Sequence, residues 1–387
     1  MHKQKTKVKI LQITSGLSTE GIGTFVLNTY ENLNKESIDV SFALATEWKQ
    51  RYEERILNQG AKIYRTSEIG KGFGGKIRHF TNLIRIIKKE GPFDVVHSHM
   101  DFFNGVNMLA AFIAGVPIRI SHAHKAENNT YKSLPKKIYN KIMKILINSF
   151  ATHNIGCSQM ANDYMHKMKG IRKENLVLFN GIDLNRFTVN NKKKLEKIKI
   201  NTSKKNFITI GRMDDQKNPL FIVEIIKELK IIRNDIHLYW VGSGSLERQV
   251  KELVSKYDLV ENISFLGVRD DVHELLSQMD FMLFPSKFEG LPIVLLEAQA
   301  SGIPCFVSNN ITSEVNIGLC TQLSLDENQA MWARKIDHYI NTHKYNNKLD
   351  QVKLKKFDIK NTCKELERIY LDNDYFEKNQ RKVSQYR

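Results

Sequence analysis

Short runs of β-branched and apolar residues alternate along this chain with longer stretches whose apolar positions recur every three or four residues. Glycine or polar residues separate the two kinds. The first kind predicts buried strands and the second amphipathic helices. VKILQIT (8–14), IDVSFAL (38–44), DVVHSH (94–99), IRISHA (118–123), THNIGCS (152–158) and NLVLFN (175–180) read as strands. IGTFVLNTYENL (22–33), KIRHFTNLIRIIKK (76–89) and NGVNMLAAFIAG (104–115) read as helices between them. A second series follows: strands NFITIGR (206–212), HLYWVGSG (237–244), ISFLG (263–267), DFMLFPS (280–286) and IPCFVS (303–308), with helices PLFIVEIIKELKII (219–232) and SLERQVKELVSKY (245–257).

Strand–helix alternation at this spacing implies parallel sheets with helices on both faces. The expected fold class is α/β: two Rossmann-like domains in tandem, their parallel sheets facing across a cleft. The first spans 1–187 and the second 206–372, joined by the Lys/Asn-rich linker 188–205. In such sheets ligands bind outside the carboxyl ends of the strands.

A length of 387 residues fits two domains, and 41% hydrophobic with 26% charged residues excludes wholesale disorder. Cys157, Cys305, Cys320 and Cys363 form no Cys-x-x-Cys pair, which excludes a zinc ribbon or a disulfide scaffold and suits a reducing cytosol. The N-terminal apolar stretch is broken at Gln12 and Thr14, too soon for a signal peptide. The longest apolar run, Met108–Val116, stops at Pro117, short of the ~20 residues a bilayer requires. A cytoplasmic protein, soluble or peripheral to the membrane, is expected.

The net charge of +17 is uneven: residues 1–190 carry 28 Lys/Arg against 15 Asp/Glu, the remainder 31 against 27. A basic half implies an anionic partner, either a phosphate-bearing ligand, a membrane surface or a nucleic acid. Basic residues are not interleaved with aromatics as a nucleic-acid platform requires, so nucleic acid is not expected. In segment 133–149, Lys136, Lys137, Lys141 and Lys144 fall on one side of a helix, and Ile138, Tyr139, Ile142, Ile145 and Leu146 on the other. Packed on the core by its apolar side, such a helix would show lysines to water or to anionic lipid.

Candidate chemistry sits at strand ends. The turn TSGLSTEGIGT (14–24) places Gly16, Gly21 and Gly23 before a helix, where backbone can approach an anion. Its spacing is not that of a dinucleotide fingerprint. Arg212 and Lys217 follow a strand of the second series, and two cations there can chelate a diphosphate. Glu289 precedes a helix and Glu297 lies inside it; the helix start, with Leu291, Ile293 and Val294, could hold phosphate, and the two carboxylates could accept from sugar hydroxyls. Gly242 opens another glycine turn, and the backbone at Val268 could read a nucleobase. His97, His99, His122 and His124 end neighbouring strands, where a histidine could act as general base; no carboxylate completes a zinc pattern, so no metal is expected.

Taken together, G-R-x4-K at Gly211–Lys217, V-G-x-G at Val241–Gly244, F-P-S-x2-E-G-L-P-x4-E at Phe284–Glu297 and N-G-I-D at Asn180–Asp183 resemble the retaining family-4 glycosyltransferases of the GT-B fold. HSHMDF (97–102), EAQASGIPCFVSNNIT (297–312) and the stretch 324–333 resemble the EpsF-type exopolysaccharide members. The resemblance implies that Arg212 and Lys217 bind the donor diphosphate, Glu297 the ribose, Glu289 the sugar and Leu291–Val294 sugar and phosphate. Gly21 would lie under the diphosphate and His99 beside the reacting centre. A last helix, about 373–387, would cross back onto the first domain. The implied activity is transfer from a nucleotide-sugar, a UDP-sugar favoured, to a glycan or polyprenyl-diphosphate-linked acceptor, without cofactor or metal. Two departures stand out: Gly23 replaces the glutamate of the first glycine loop, and NNITSEV replaces a G-G-x-x-E, with Glu314 filling the glutamate position. Asp372–Asp374, the one D-x-D, lies in the C-terminal tail. A nucleotide-sugar 2-epimerase and a non-catalytic basic membrane-binding protein are the competing readings.

Overall fold

A computed structural model describes residues 7–18, 21–70, 72–126, 133–168, 175–187, 200–342 and 349–371. They fall into two units, Met1–Gly181 with Ile359–Arg387, and Ile182–Asp358.

The first unit runs β1 (Val8–Thr14), α1 (Gly21–Asn32), β2 (Ile38–Leu44), α2 (Glu53–Leu57), β3 (Lys62–Arg65), α3 (Gly72–Glu90), β4 (Val95–Ser98), α4 (Asn104–Ile113), β5 (Ile118–Ala123), α5 (Leu134–Phe150), β6 (His153–Gly156), α6 (Gln159–Met165) and β7 (Asn175–Val177). All seven strands are parallel, in the order β3-β2-β1-β4-β5-β6-β7. The inner strands are buried on both faces: β4 is buried throughout, with His97 and Ser98 inside it, and β1 is buried from Ile10 onward. Several buried polar groups inside this unit pair with one another. The His79 ring bonds Thr66 Oγ1 and Asn107 Oδ1, each at 2.8 Å, and Asn107 donates to Ser98 Oγ at 2.9 Å.

The second unit runs β8 (Lys205–Ile210), α7 (Pro219–Ile232), β9 (Ile236–Val241), α8 (Glu247–Lys256), β10 (Ile263–Gly267), α9 (Val272–Leu276), β11 (Phe281–Phe284), α10 (Ile293–Ala300), β12 (Cys305–Ser308), β13 (Cys320–Leu323), α11 (Gln329–Thr342) and α12 (Gln351–Lys356). Its six parallel strands are ordered β10-β9-β8-β11-β12-β13. Trp332 anchors α11 in the core, its ring centre 5.4 Å from that of Phe221, and its indole donates to Ser324 O at 2.7 Å.

Helix α13 (Ile359–Leu371) belongs to the first unit. Glu367 accepts from Asn34 N at 2.8 Å, and Thr362 Oγ1 donates to Phe179 O at 3.1 Å. The second unit therefore ends at Asp358, not at 372 as read from the sequence, and starts at Ile182. Of the expected linker, 188–199 lies outside the described residues, and Lys205 already opens β8. The expected helix 373–387 also lies outside them. Strands β3 and β13 were not expected; both lie at the edge of a sheet.

Helix α5 corrects an expectation. Its core-facing residues are Asn140, Met143 and Ile147, set against α4, where a Cβ on Gly105 would fall 2.8 Å from Met143 O. Of the five residues expected in the core, Tyr139 and Leu146 are partly buried and three face water: Ile138 is 52% exposed, Ile142 49% and Ile145 44%, continuing from Leu134 at 70%. Spaced four, four and three residues apart, they form one apolar stripe among the lysines.

The chain enters and leaves the second unit beside Gly181, whose added Cβ would lie 2.5 Å from Thr362 Oγ1 and 2.6 Å from Ile359 Cα. Backbone cannot yield there without displacing α13. Gly181→Ala is expected to cost about 1–3 kcal/mol, read as a lower denaturant midpoint for the first unit. An unchanged midpoint would mean that α13 is loosely seated.

Candidate functional site

In an open α/β sheet the crevice forms where neighbouring strands send their following segments to opposite faces. In the second unit this switch lies between β8 and β11, and the loops after them carry the predicted residues. β8 is followed by Gly211, whose φ of +152° favours glycine. A 3-10 turn at Asp215–Lys217 follows, with Asp214 accepting from Lys217 N, and Asn218 in the left-handed region leads into Pro219 at the start of α7. The loop after β11 is tied to this one: Lys287 N donates to Gln216 O at 2.8 Å and Gln216 Nε2 to Phe288 O at 3.1 Å.

The two loops bring Lys217 and Glu289 together. Lys217 Nζ lies 2.7 Å from Glu289 Oε1 and 4.5 Å from the centre of the Phe284 ring. Glu289 is buried, so the pair is shielded from water and forms a real constraint on both side chains. Arg212 is half exposed, its Nη2 3.2 Å from Asp214 Oδ2. Both cations stand at the carboxyl end of the sheet, as two groups gripping a diphosphate would.

Close backbone packing forms the floor. Gly242 has φ of +131°, and a Cβ there would sit 2.1 Å from Gly211 O; one on Gly244 would sit 2.5 Å from Met213 O. Gly242 N donates to Gly267 O at 2.8 Å, and Met213 N to Ser243 O at 3.0 Å. Main-chain bonds thus tie together the ends of β8, β9 and β10. Val268, next to Gly267, is exposed. Helix α10 starts after Pro292 with no side-chain cap, Leu291 and Ile293 buried and Val294 partly so. Glu314 sits in a 3-10 turn, where it accepts from Thr312 Oγ1 at 3.1 Å.

Glu297, inside α10, is buried among apolar neighbours. Burial pushes its carboxyl up to about 7, against a smaller downward pull from Arg186. The Arg186 guanidinium in turn lies 3.4 Å from His273 Nδ1. Arg186 and His273 have no sequence signal that marks them.

In the first unit Gly21 opens α1 and is exposed, with open space around its would-be Cβ; Gly23 is the demanding position, because a Cβ would lie 2.0 Å from Ser18 O. That contact is why glycine stands where related loops carry a glutamate. The histidines gather as the alternation implied. His99 is buried, its Nδ1 2.8 Å from His124 Nε2 and its Nε2 2.7 Å from Gln12 Oε1. His97 joins His122 at 3.1 Å and Tyr370 Oη at 2.6 Å. Burial is the main cause that holds all four rings below the usual imidazole range, His124 at about 3. The nitrogens of His97, His99 and His122 lie within 4.8 Å of one another, a spacing that a metal could span. Gln12 and Tyr370 escaped the sequence reading, since Tyr370 lies 358 residues away from Gln12.

Two family models match the chain: Glycosyltransferase Family 4 over residues 19–186 and Glycosyl transferases group 1 over residues 190–355. The chain is 32% identical to EpsF of Bacillus subtilis (strain 168), over 85% of this chain and 86% of that protein. It is 28% identical to the capsular polysaccharide biosynthesis glycosyltransferase CapH of Staphylococcus aureus, over 94% and 99%. It is 29% identical to the UDP-Gal:alpha-D-GlcNAc-diphosphoundecaprenol alpha-1,3-galactosyltransferase of Escherichia coli, over 80% and 81%. Among solved structures, Anabaena HepE in complex with UDP and glucose superposes with a TM-score of 0.78 at 15% identity, over 94% of this chain and all of that one.

The raised carboxyl of Glu297 gives a test by pH. The folded protein holds this proton more tightly than the unfolded chain, so stability falls as pH rises from about 4.5 to about 7, by about 3 kcal/mol in all. Glu297→Gln removes that loss. Its gain in urea midpoint for the second unit is expected to be larger at pH 8 than at pH 5. A gain independent of pH would show that the carboxyl titrates ordinarily.

Proposed function

Because the chain belongs to the family-4 glycosyltransferases and has the GT-B fold, we propose that it is a retaining enzyme that moves a hexose or N-acetylhexosamine from a UDP-sugar to a polyprenyl-diphosphate-linked glycan, in exopolysaccharide or capsule synthesis. The observation that carries this reading is the paired loop at the second switch point, where Lys217 and Glu289 meet beside Arg212 and the uncapped start of α10. The Escherichia coli relative, whose name pairs UDP-Gal with a GlcNAc-diphosphoundecaprenol acceptor, supports the substrate classes, and HepE with bound UDP supports the nucleotide. Family membership leaves no support for the epimerase or the non-catalytic reading.

In this mechanism Arg212 and Lys217 meet the negative charge that develops on the leaving diphosphate, together with the backbone N–H groups at the start of α10. Phosphate takes Lys217 from Glu289, and the freed carboxylate accepts from hydroxyls of the donor sugar. Glu297 accepts from the ribose, Val268 and Gly242 line the nucleotide, and Leu291, Ile293 and Val294 lie along the sugar and phosphate. The acceptor hydroxyl attacks from the face the diphosphate leaves, through an oxocarbenium-like state, so configuration is retained. Two fixed cations supply the counter-charge, and the proposal calls for no metal or other cofactor.

We place the acceptor on the first unit, at the cytoplasmic face of the membrane. No helix among the described residues is long and apolar enough to cross a membrane. Helix α5, however, exposes Leu134, Ile138, Ile142 and Ile145 with Lys136, Lys137, Lys141 and Lys144 around them. An apolar stripe bordered by lysines suits the boundary between headgroups and acyl chains.

Arg212→Ala and Lys217→Ala should each lower turnover on UDP-sugars by roughly 10–150-fold, the worth of a charge-assisted hydrogen bond completed in the transition state. Full activity in the double variant would remove the diphosphate assignment. For the membrane, sedimentation with anionic vesicles should weaken as salt rises, because the Debye length shrinks from about 10 Å at 0.1 M to about 3 Å at 1 M. Changing Ile138, Ile142 and Ile145 to Gln, or the four lysines to Gln, should release the protein while UDP binding persists. Equal sedimentation of both variants and wild type would leave α5 a solvated surface helix.

A further inference from the structure

Gln12, Tyr370 and four histidines form one hydrogen-bonded chain beside the carboxyl ends of β4 and β5, and Gln12 sets its direction. Gln12 Nε2 donates to Tyr370 Oη at 3.2 Å, so the phenol proton points to His97 Nδ1 at 2.6 Å. His97 then carries its proton on Nε2 and donates to His122 Nδ1 at 3.1 Å, which puts the His122 proton on Nε2. On the other arm Gln12 Oε1 accepts from His99 Nε2 at 2.7 Å, and His99 Nδ1 accepts from His124 Nε2 at 2.8 Å. His124 Nδ1 is left as an acceptor. All four rings are neutral and protonated on Nε2.

The arms end side by side. His122 Nε2 is a donor and His124 Nδ1 an acceptor; both atoms are buried, neither has a hydrogen-bond partner, and the two rings stack with centres 4.1 Å apart. Phe25 covers both rings, its own ring centre 5.3 Å from His122 and 5.2 Å from His124. Turning the Gln12 amide over reverses every bond in the chain and exchanges the two ends, yet still leaves one donor and one acceptor. Leaving either buried end without a partner is costly. A cation held by His97, His99 and His122 would have to take nitrogens of His97 and His99 that already bond His122, His124, Gln12 or Tyr370. The ends call instead for a neutral group that both donates and accepts.

We infer that His122 Nε2 and His124 Nδ1 bind a hydroxyl-bearing ligand, and, resting on the acceptor reading above, that the ligand is the acceptor sugar. The same hydrogen-bonding chemistry belongs to a resident water, which is the competing source. The chain orients the hydroxyl and does not take its proton. A proton given to His124 would pass to His99 and stop at Gln12 Oε1, because an amide cannot hand it on. His97, His99 and Tyr370 are therefore positioning residues for the two terminal rings.

The test uses the full chain with 15N-labelled histidine and, as probe, N-acetylglucosamine 1-diphosphate carrying a short alkyl ester. The four rings should show the Nε2–H pattern without the probe; mixed tautomers among them would overturn the inference. The probe should move His122 Nε2 and His124 Nδ1 and leave His79 and His237 in place. No movement would assign the ends to water and overturn the site. Shifts without sugar transfer by the wild type would fault the choice of acceptor and keep the hydroxyl site, whereas transfer without shifts would sink the site and keep the acceptor. Tyr370→Phe and His124→Phe should each raise KM for the probe by about tenfold with UDP binding unchanged. His124→Asn, whose amide oxygen still accepts, should restore most of it; equal KM in all three variants and wild type would count against the inference.

Discussion

Everything of interest in this molecule depends on one constraint of parallel sheets. Where two neighbouring strands send their connections to opposite faces, no helix can cover the gap between the connections, and the carboxyl edge stays open there. In the second unit β8 and β11 are those strands, and cross-loop bonds from Lys287 and Gln216 hold their loops in step. Lys217 and Glu289 meet only because of this, although 72 residues separate them. In the first unit β1 and β4 occupy the same place: Gln12 pairs with His97 in register, and both histidine arms start there.

The glycines serve the same constraint. A polar crevice at a strand end needs backbone close to backbone, and Gly242 and Gly244 remove the side chains that would hold the ends of β8 and β9 apart. Gly23 does this for the first loop by letting α1 fold back on Ser18. A glutamate could not occupy that position without rebuilding the loop. The departure from the family pattern at Gly23 is therefore a packing requirement of this loop's path.

How far the sequence foretold this follows from what each signal depends on. The inner strands were legible because burial on both faces leaves short runs rich in β-branched and apolar residues. Arg212, Lys217, Glu289 and Glu297 were legible because fixed spacing around a strand end is a local property. Edge strands were not: β3 reads KIYR and β13 reads CTQL, half-buried and polar enough to pass for loop. Helix α5 misled for a different reason. Its residues Ile138, Ile142 and Ile145 have the spacing of a core stripe, but the close approach at Gly105 turns Asn140, Met143 and Ile147 inward. Periodicity gives the width of an apolar face and says nothing about which neighbour it meets. The pairing of Tyr370 with Gln12 and His97 was out of reach, since it depends on α13 returning to the first unit.

The two switch points differ in their electrostatics, and the difference follows from their side chains. In the second unit the crevice is ionic: Lys217 against buried Glu289, and Arg212 half exposed against Asp214. Each cation keeps a carboxylate partner, so neither stands as an uncompensated charge. In the first unit the histidines are neutral, since burial and their mutual repulsion both oppose a proton. A neutral chain closed by an amide cannot attract an ion, but it can present a donor and an acceptor whose roles are fixed relative to each other. Of the side chains in it, the imidazoles and the phenol can each reverse the sense of their bonds by moving a proton, and the Gln12 amide can reverse only by turning over. The direction of all six groups therefore follows Gln12, deep in β1, and through it the polarity at the two unpartnered ends of the chain is set.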